Sequence, residues 1–362
     1  MVNSPAKELE AWFNMMPEPV QKNYNRFKKV NDVLTRQPEP QVGQSPKEVV
    51  WTKNKAKLYR YVSPVEKTNK VPLLIVYALI NKPYILDLTP GSSLIEYLTN
   101  QGHDVFLLDW GTPGYEDRNM KLDDYIMDYI PRAVKKVLRI SGAEEISLLG
   151  YCMGGTMTSI FASLHPELPI RNIIFLTSPF EFSDTGLFSN WLDERYFNLD
   201  KMVDTLGVIP GEVIDLGNKM LKPLVNYIGP YVTLADRAEN EDFVKSWSLM
   251  QKWVADGIPF PGAAFRQWIG EFYQQNKLIN DELYIRGQQV KLSNIKANIL
   301  NIAAQRDHIA APEQVKPLLD KVSSKDKTFH LMPTGHVSVV VGGTAVKKTY
   351  PTIDQWLKDH SI

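Results

Sequence analysis

The sequence predicts an α/β protein built on a mainly parallel sheet with helices on both faces and a long, mostly helical insertion. Three observations lead there. Apolar runs at residues 71–77, 104–110, 145–152, 170–177 and 298–304 are short and nearly unbroken, as in strands buried on both faces. Helical patterns fall between them, and that alternation defines a parallel sheet with covering helices. The stretch from Pro179 to Asn298 is far longer than a strand-to-helix connection needs, so it is expected to be inserted.

Along the chain, residues 5–36 read as helical. Leu9, Trp12, Phe13 and Met16 share one stripe, which Val20, Tyr24, Phe27 and Leu34 continue after Pro17 and Pro19. Residues 37–46 form a Pro-rich linker. Alternation over residues 48–62 around Asn54 predicts a hairpin. Ser93 with Glu96 reads as a capping box and Gly102 as a helix stop; a longer stripe runs from Leu122 through Tyr125, Ile126, Tyr129, Ile130 and Val134 to Leu138, ending near Gly142. The expected organisation is an N-terminal helical arm and linker over 1–46, a catalytic core over 47–180 and 286–362, and a cap over 181–285. The cap region holds Trp191, Trp247, Trp253 and Trp268, half of the 8 tryptophans, beside poor strand signals.

A chain of 362 residues can bury a sizeable core. Its 41 basic and 41 acidic residues balance, which argues against a long-range field for nucleic acid or an anionic membrane. No secretory pattern and no run long enough to span a bilayer is present, so a cytoplasmic protein is expected. The 1 cysteine, Cys152, cannot form an intrachain disulfide and calls for an explanation.

Residues 145–152 run as a strand straight into a helical pattern, placing Gly150-Tyr151-Cys152-Met153-Gly154-Gly155 at the junction. In a nucleophile elbow the reactive residue sits in a strained turn, and small neighbours let strand and helix approach closely. The helix N-terminus behind Cys152 favours negative charge there, and the Met153 N–H is expected to be an oxyanion donor. A lone cysteine is ordinarily a small buried apolar residue. The flanking glycines and the strand-to-helix junction favour a nucleophile instead, and the absence of a Gly-Lys-Ser/Thr ending excludes a phosphate loop.

Of the 6 histidines, His103 precedes a strand, His165 ends a helix, His330 lies within a strand pattern and His360 in the C-terminal tail. His308 directly follows Asp307. His336 occupies a loop after the last strand, where an α/β-hydrolase fold supplies its base. Asp307 follows the strand 298–304, and the order Cys, Asp, His is the nucleophile, acid, base order of that fold. The sequence thus predicts an α/β-hydrolase fold with Cys152, Asp307 and His336 as its catalytic triad.

At these residues the sequence resembles the polyhydroxyalkanoate synthases from about residue 45 onward. Their lipase-like box, with cysteine in place of serine, is matched by Gly150, Cys152, Gly154 and Gly155; their acid motif resembles Arg306-Asp307-His308-Ile309, and their base motif Gly335-His336-Val337. Residues 80–88 and 102–106 match further. The resemblance implies an acyltransferase that polymerises 3-hydroxyacyl-CoA thioesters, short-chain ones such as 3-hydroxybutyryl-CoA, onto a growing polyester through a Cys152 acyl-enzyme. It implies no metal or redox cofactor, and it places a second oxyanion donor near Ile80. The arm and the box are similar to those of the two-subunit synthases, the branch with an R-type partner in particular. That implies a small second subunit and a place at the surface of polyester granules; the Trp12 and Phe13 stripe either helps to hold that subunit or packs on this chain's own cap. With one thiol per chain, either two copies of Cys152 meet across a homodimer or one site works through a non-covalent or CoA-bound intermediate. A thioesterase or lactone hydrolase on the same fold, and a non-catalytic granule-surface protein, are the alternatives.

Overall fold

The computed structural model describes residues 14–36 and 39–361. Trp12 and Phe13, on which the expected partner stripe partly rests, lie outside the described residues. The described residues form two compact units: those up to 41 with 217–255, and those of 42–216 with 256–361. This division departs from the boundaries expected from sequence. Only the middle of the 181–285 stretch separates, and it groups with the N-terminal arm; residues 181–216 and 256–285 belong with the sheet.

The larger unit is organised by eight strands: β1 (Lys47–Lys53), β2 (Ala56–Tyr61), β3 (Leu73–Val76), β4 (Val105–Asp109), β5 (Ile146–Tyr151), β6 (Ile170–Leu176), β7 (Asn298–Ala304) and β8 (Lys327–Met332). Their spatial order is β1-β2-β4-β3-β5-β6-β7-β8. Only β2 runs against the rest; it pairs antiparallel with β1 and β4, while the other pairings are parallel. The hairpin turns at Asn54, which adopts φ 50° as short polar residues at turns do. β3, β5 and most of β4 and β6 are buried, as their unbroken apolar runs require.

The covering helices start and stop for local reasons. Ser93 Oγ accepts from Glu96 N–H at 2.9 Å and caps the helix Leu94–Asn100. The reciprocal half of the expected box is diverted, because the Glu96 carboxylate accepts from Gly91 N–H at 2.7 Å. The stripe from Leu122 continues through a wide π turn at Tyr125–Tyr129 into the helix Ile130–Ser141. Pro131 has no N–H to donate and its ring crowds the preceding turn, and the widened turn keeps the helix continuous past it. Gly142 ends it at φ 69°. The same pairing of a π turn with a proline recurs at Ala345–Thr349 before Pro351, at the start of the terminal helix Tyr350–His360. Among the described residues no helix is long and apolar enough to cross a membrane.

In the smaller unit the helices Glu18–Arg36 and Gly229–Arg237 pack together, and Arg26 Nη2 donates to the Asp236 carbonyl at 3.3 Å. Val20, Tyr24, Phe27 and Leu34 of the predicted stripe remain exposed. The helix Glu241–Ala255 completes the unit, and Lys252 pairs with Glu39.

Asp87 anchors the segment that enters β1. It is 2% exposed and accepts from Ser45 N–H at 3.1 Å, Ser45 Oγ–H at 2.6 Å and Ser93 Oγ–H at 2.8 Å. Replacing it removes the shared acceptor of three donors in a part-buried site, so Asp87→Ala is expected to lower stability by about 2–3 kcal/mol, read from urea unfolding; a loss below about 1 kcal/mol would contradict this account.

Candidate active site

The carboxyl ends of β5, β7 and β8 assemble the site. β5 ends at Tyr151, and Cys152 follows at φ 52° and ψ −126°, a conformation that costs about 1–3 kcal/mol for a residue with a Cβ. The helix Met153–Leu164 starts at once. Its first turn lies so close to the sheet that only glycine fits: a Cβ on Gly154 would fall 2.1 Å from the Val76 carbonyl oxygen, and one on Gly150 would fall 2.2 Å from Gly155 Cα. A Cβ on Gly155 would meet Ser178 Oγ at 1.9 Å. The strained turn is held at both ends, since Cys152 N–H donates to the Leu176 carbonyl at 3.0 Å and Gly155 N–H to the Cys152 carbonyl at 2.9 Å. Met153 is the first residue of this helix, where N–H groups have no intrahelical acceptor.

The loops after β7 and β8 meet because their ladder continues past the strands. The register pairs Ala304 with Met332; beyond it Gln305 N–H donates to the Met332 carbonyl and Arg306 N–H to the Thr334 carbonyl, both at 2.8 Å. Arg306 Nη2 adds a bond to the Pro333 carbonyl at 2.9 Å. Asp307 and His336 are thereby brought together, with His336 Nδ1 and Asp307 Oδ2 2.6 Å apart. Asp307 Oδ1 accepts from Ile309 N–H at 2.8 Å and Ala310 N–H at 3.0 Å, which fixes the carboxylate plane. The Cys152 side chain lies close enough to the imidazole to act on its charge. Cys152, Asp307 and His336 are 7%, 7% and 8% exposed.

Burial pulls the His336 imidazole down, but the Asp307 charge, then Cys152 and hydrogen bonds to both, outweigh it and leave its pKa well above the ordinary value. The arrangement is the one that nucleophilic acyl transfer requires: a presented thiol, an imidazole in contact with it, and a carboxylate fixing the imidazole tautomer with its Nδ1 proton toward the acid.

Ile80 lies beyond the end of β3, and its carbonyl accepts from Ile258 N–H at 2.9 Å. Of the other five histidines, His308 is half-buried directly beside Asp307 in sequence, and the remaining four are elsewhere. His103 Nε2 contacts Asp354 Oδ1 at 2.8 Å in a buried pair, His165 contacts Glu167 at 3.0 Å, His360 sits with Trp356 and Asp326, and His330 is an exposed residue of β8. Among the described residues no group of three or more His, Cys, Asp and Glu side chains could hold a metal ion.

Two tyrosines near the site went unassigned in the sequence. Tyr273, on the π turn Trp268–Gln274, packs among Phe182, Phe188 and Trp268. Burial pushes its phenol up, and Cys152 and Asp307 add to the effect. Tyr151 lies inside the box itself. Aromatic spacing marked neither one, because their relation to the site is tertiary.

Comparison with known proteins adds the following. A profile for the α/β-hydrolase fold matches residues 71–342, and one for the poly-beta-hydroxybutyrate polymerase (PhaC) N-terminus matches residues 14–98. The chain is 41% identical over 324 residues to the poly(3-hydroxyalkanoate) polymerase subunit PhaC of Haloferax mediterranei, covering 89% of this chain and 66% of that one, slightly under two thirds of the relative's length. It is 38% identical over 320 residues to the protein of the same name from Allochromatium vinosum, covering 88% and 89%. The PhaC of Synechocystis is 38% identical over 325 residues, covering 88% and 86%. Among solved structures, the Paleococcus ferrophilus monoacylglycerol lipase superposes with a TM-score of 0.50 at 17% identity, over 84% of this chain and 99% of that one. A structure from the metagenome-derived lipolytic enzymes LipS and LipT gives 0.51 at 14%, over 82% and 96%. At those identities the likeness is one of fold.

The raised imidazole has a sign that unfolding can read. A folded-state pKa above the unfolded value stabilises fully below about pH 6.5 and loses that contribution as pH rises through the folded value. Asp307→Asn removes the main raising charge, so the stability gap between wild type and variant is expected to be widest near pH 6 and to narrow at alkaline pH, measured by urea midpoints; a gap that widens with pH would contradict this.

Proposed function

The chain belongs to the poly(3-hydroxyalkanoate) polymerase subunit PhaC family, a family of acyltransferases, and from that premise we propose that it polymerises (R)-3-hydroxyacyl-CoA, 3-hydroxybutyryl-CoA in particular, with release of CoA. The observation that carries the reading to this chain is the 2.6 Å pairing of His336 with Asp307, with Cys152 close enough to act on the imidazole from a strained strand-to-helix turn.

In the proposed cycle the Cys152 sulfur attacks the thioester carbonyl, and the oxyanion is held by Met153 N–H and a donor near Ile80. The carbon–sulfur bond to CoA breaks, and the imidazolium of His336 supplies the proton that CoA takes away. The hydroxyl of a second 3-hydroxyacyl unit then attacks the acyl-enzyme. His336 removes its proton, the ester forms and the Cys152 sulfur leaves. Asp307 fixes the imidazole and stabilises its cation throughout. No metal or redox group enters the scheme. Ester rather than free acid results when water is kept from the acyl-enzyme, and the near-complete burial of the three side chains favours that outcome.

We further propose a small R-type second subunit, a homodimer of the catalytic chain, and work at the surface of cytoplasmic polyester granules. Support for a multi-subunit system comes from the relatives, which are named as a polymerase subunit.

The test is CoA release and product analysis with 3-hydroxybutyryl-CoA. Wild type is expected to yield insoluble ester, Cys152→Ala to release no CoA, and His336→Gln to lose at least about a hundredfold. Soluble 3-hydroxybutyrate as the main product would make the chain a thioesterase. Undiminished release from Cys152→Ala would remove the thiol from the mechanism.

A further inference from the structure

Tyr151 occupies the variable position of the elbow, directly before the cysteine, and its side chain is turned inward, 2% exposed. Its ring stacks on Tyr77 with centroids 5.4 Å apart and planes inclined by 19°, and it lies 5.7 Å from the His336 ring. Its hydroxyl donates to the His336 backbone carbonyl at 3.3 Å. Tyr77 is itself fixed, because its carbonyl accepts from Trp110 Nε1–H at 2.9 Å and abuts the face of Gly154. One buried stack therefore joins the end of β3, the nucleophile turn and the loop that carries the imidazole.

We propose that Tyr151 is a positioning residue that holds the His336 loop in register with Cys152. This rests on the reading of Cys152 as nucleophile and His336 as base. The need is physical. The ladder that continues from β7 and β8 fixes His336 against Asp307, but those strands are separated from β5 by β6, so their bonds do not locate the imidazole relative to the thiol. Among the groups that face His336, Asp307 and Cys152 act on its ring, whereas Tyr151 holds its backbone. Burial pushes the Tyr151 phenol well above its ordinary range, so it stays a donor wherever the enzyme would be assayed. Tyr273, the other buried phenol near the thiol, packs on Trp268, Phe182 and Phe188 and is no substitute for this contact.

The test uses the full chain with Tyr151→Phe, which keeps the stacked ring and deletes only the donor, Tyr151→Leu, which deletes both, and His336→Gln. Two quantities are read: the rate of Cys152 alkylation by iodoacetamide near neutral pH, and kcat and KM for CoA release across pH. Tyr151→Phe is expected to slow alkylation and kcat about tenfold with KM unchanged, because a base displaced by a fraction of an ångström loses its alignment. The pH profile should move in the direction given by a weaker hold of Cys152 on the imidazole. Tyr151→Leu should show at least as large an effect. A merely structural role would lower thermal stability without moving the pH profile. Wild-type alkylation and turnover in both Tyr151 variants, with His336→Gln impaired, would overturn this proposal alone. Wild-type alkylation and turnover in His336→Gln would instead overturn the reading of the site on which it rests.

Discussion

The approach of one helix turn to the sheet constrains everything at the carboxyl edge. Where the helix Met153–Leu164 begins, its backbone occupies the space a Cβ at Gly150 would need, the Val76 carbonyl occupies that of one at Gly154, and Cys152 at the junction takes a positive φ. The cost of that conformation is local, about 1–3 kcal/mol, and the buried strands on either side are large enough to offset it. In return the sulfur is carried off the end of β5 toward the neighbouring loops, with the helix N-terminus behind it. With a side chain at either glycine, strand and helix could not approach this closely.

The second half of the site depends on a different device. β7 and β8 do not stop pairing at their last strand residues; the bonds from Gln305 and Arg306 draw the two loops into contact, and two backbone amides clamp the Asp307 carboxylate so that its other oxygen faces His336. An imidazole enclosed in this way would lose its proton to desolvation. The adjacent carboxylate reverses the balance and keeps the cation accessible to the chemistry proposed for it.

Much of this was legible in the residues, for identifiable reasons. The unbroken apolar runs marked the buried strands to within two or three residues, because parallel strands covered on both faces leave no polar alternation to confuse. The six-residue box around Cys152 encoded its turn directly, since the steric requirement is local. The division of the 181–285 stretch was not legible: which helices of an insertion join the sheet and which join the arm is decided by tertiary packing, and Trp191, Trp247, Trp253 and Trp268 read alike in sequence. The capping box at Ser93 was half right, because Gly91 competes for the Glu96 carboxylate. Tyr151 stood in plain view within the box, but nothing in its spacing shows that its hydroxyl reaches a loop far along the chain.

A covalent bond between substrate and sulfur is the point on which the proposed chemistry stands. It is measured most directly by quenching the protein with acid after brief exposure to 3-hydroxybutyryl-CoA and mapping its peptides by mass spectrometry. The account predicts a hydroxyacyl adduct, single or oligomeric, on the peptide that contains Cys152 and on no other. Turnover that leaves this peptide unmodified, or an adduct carried by a different residue, would contradict it.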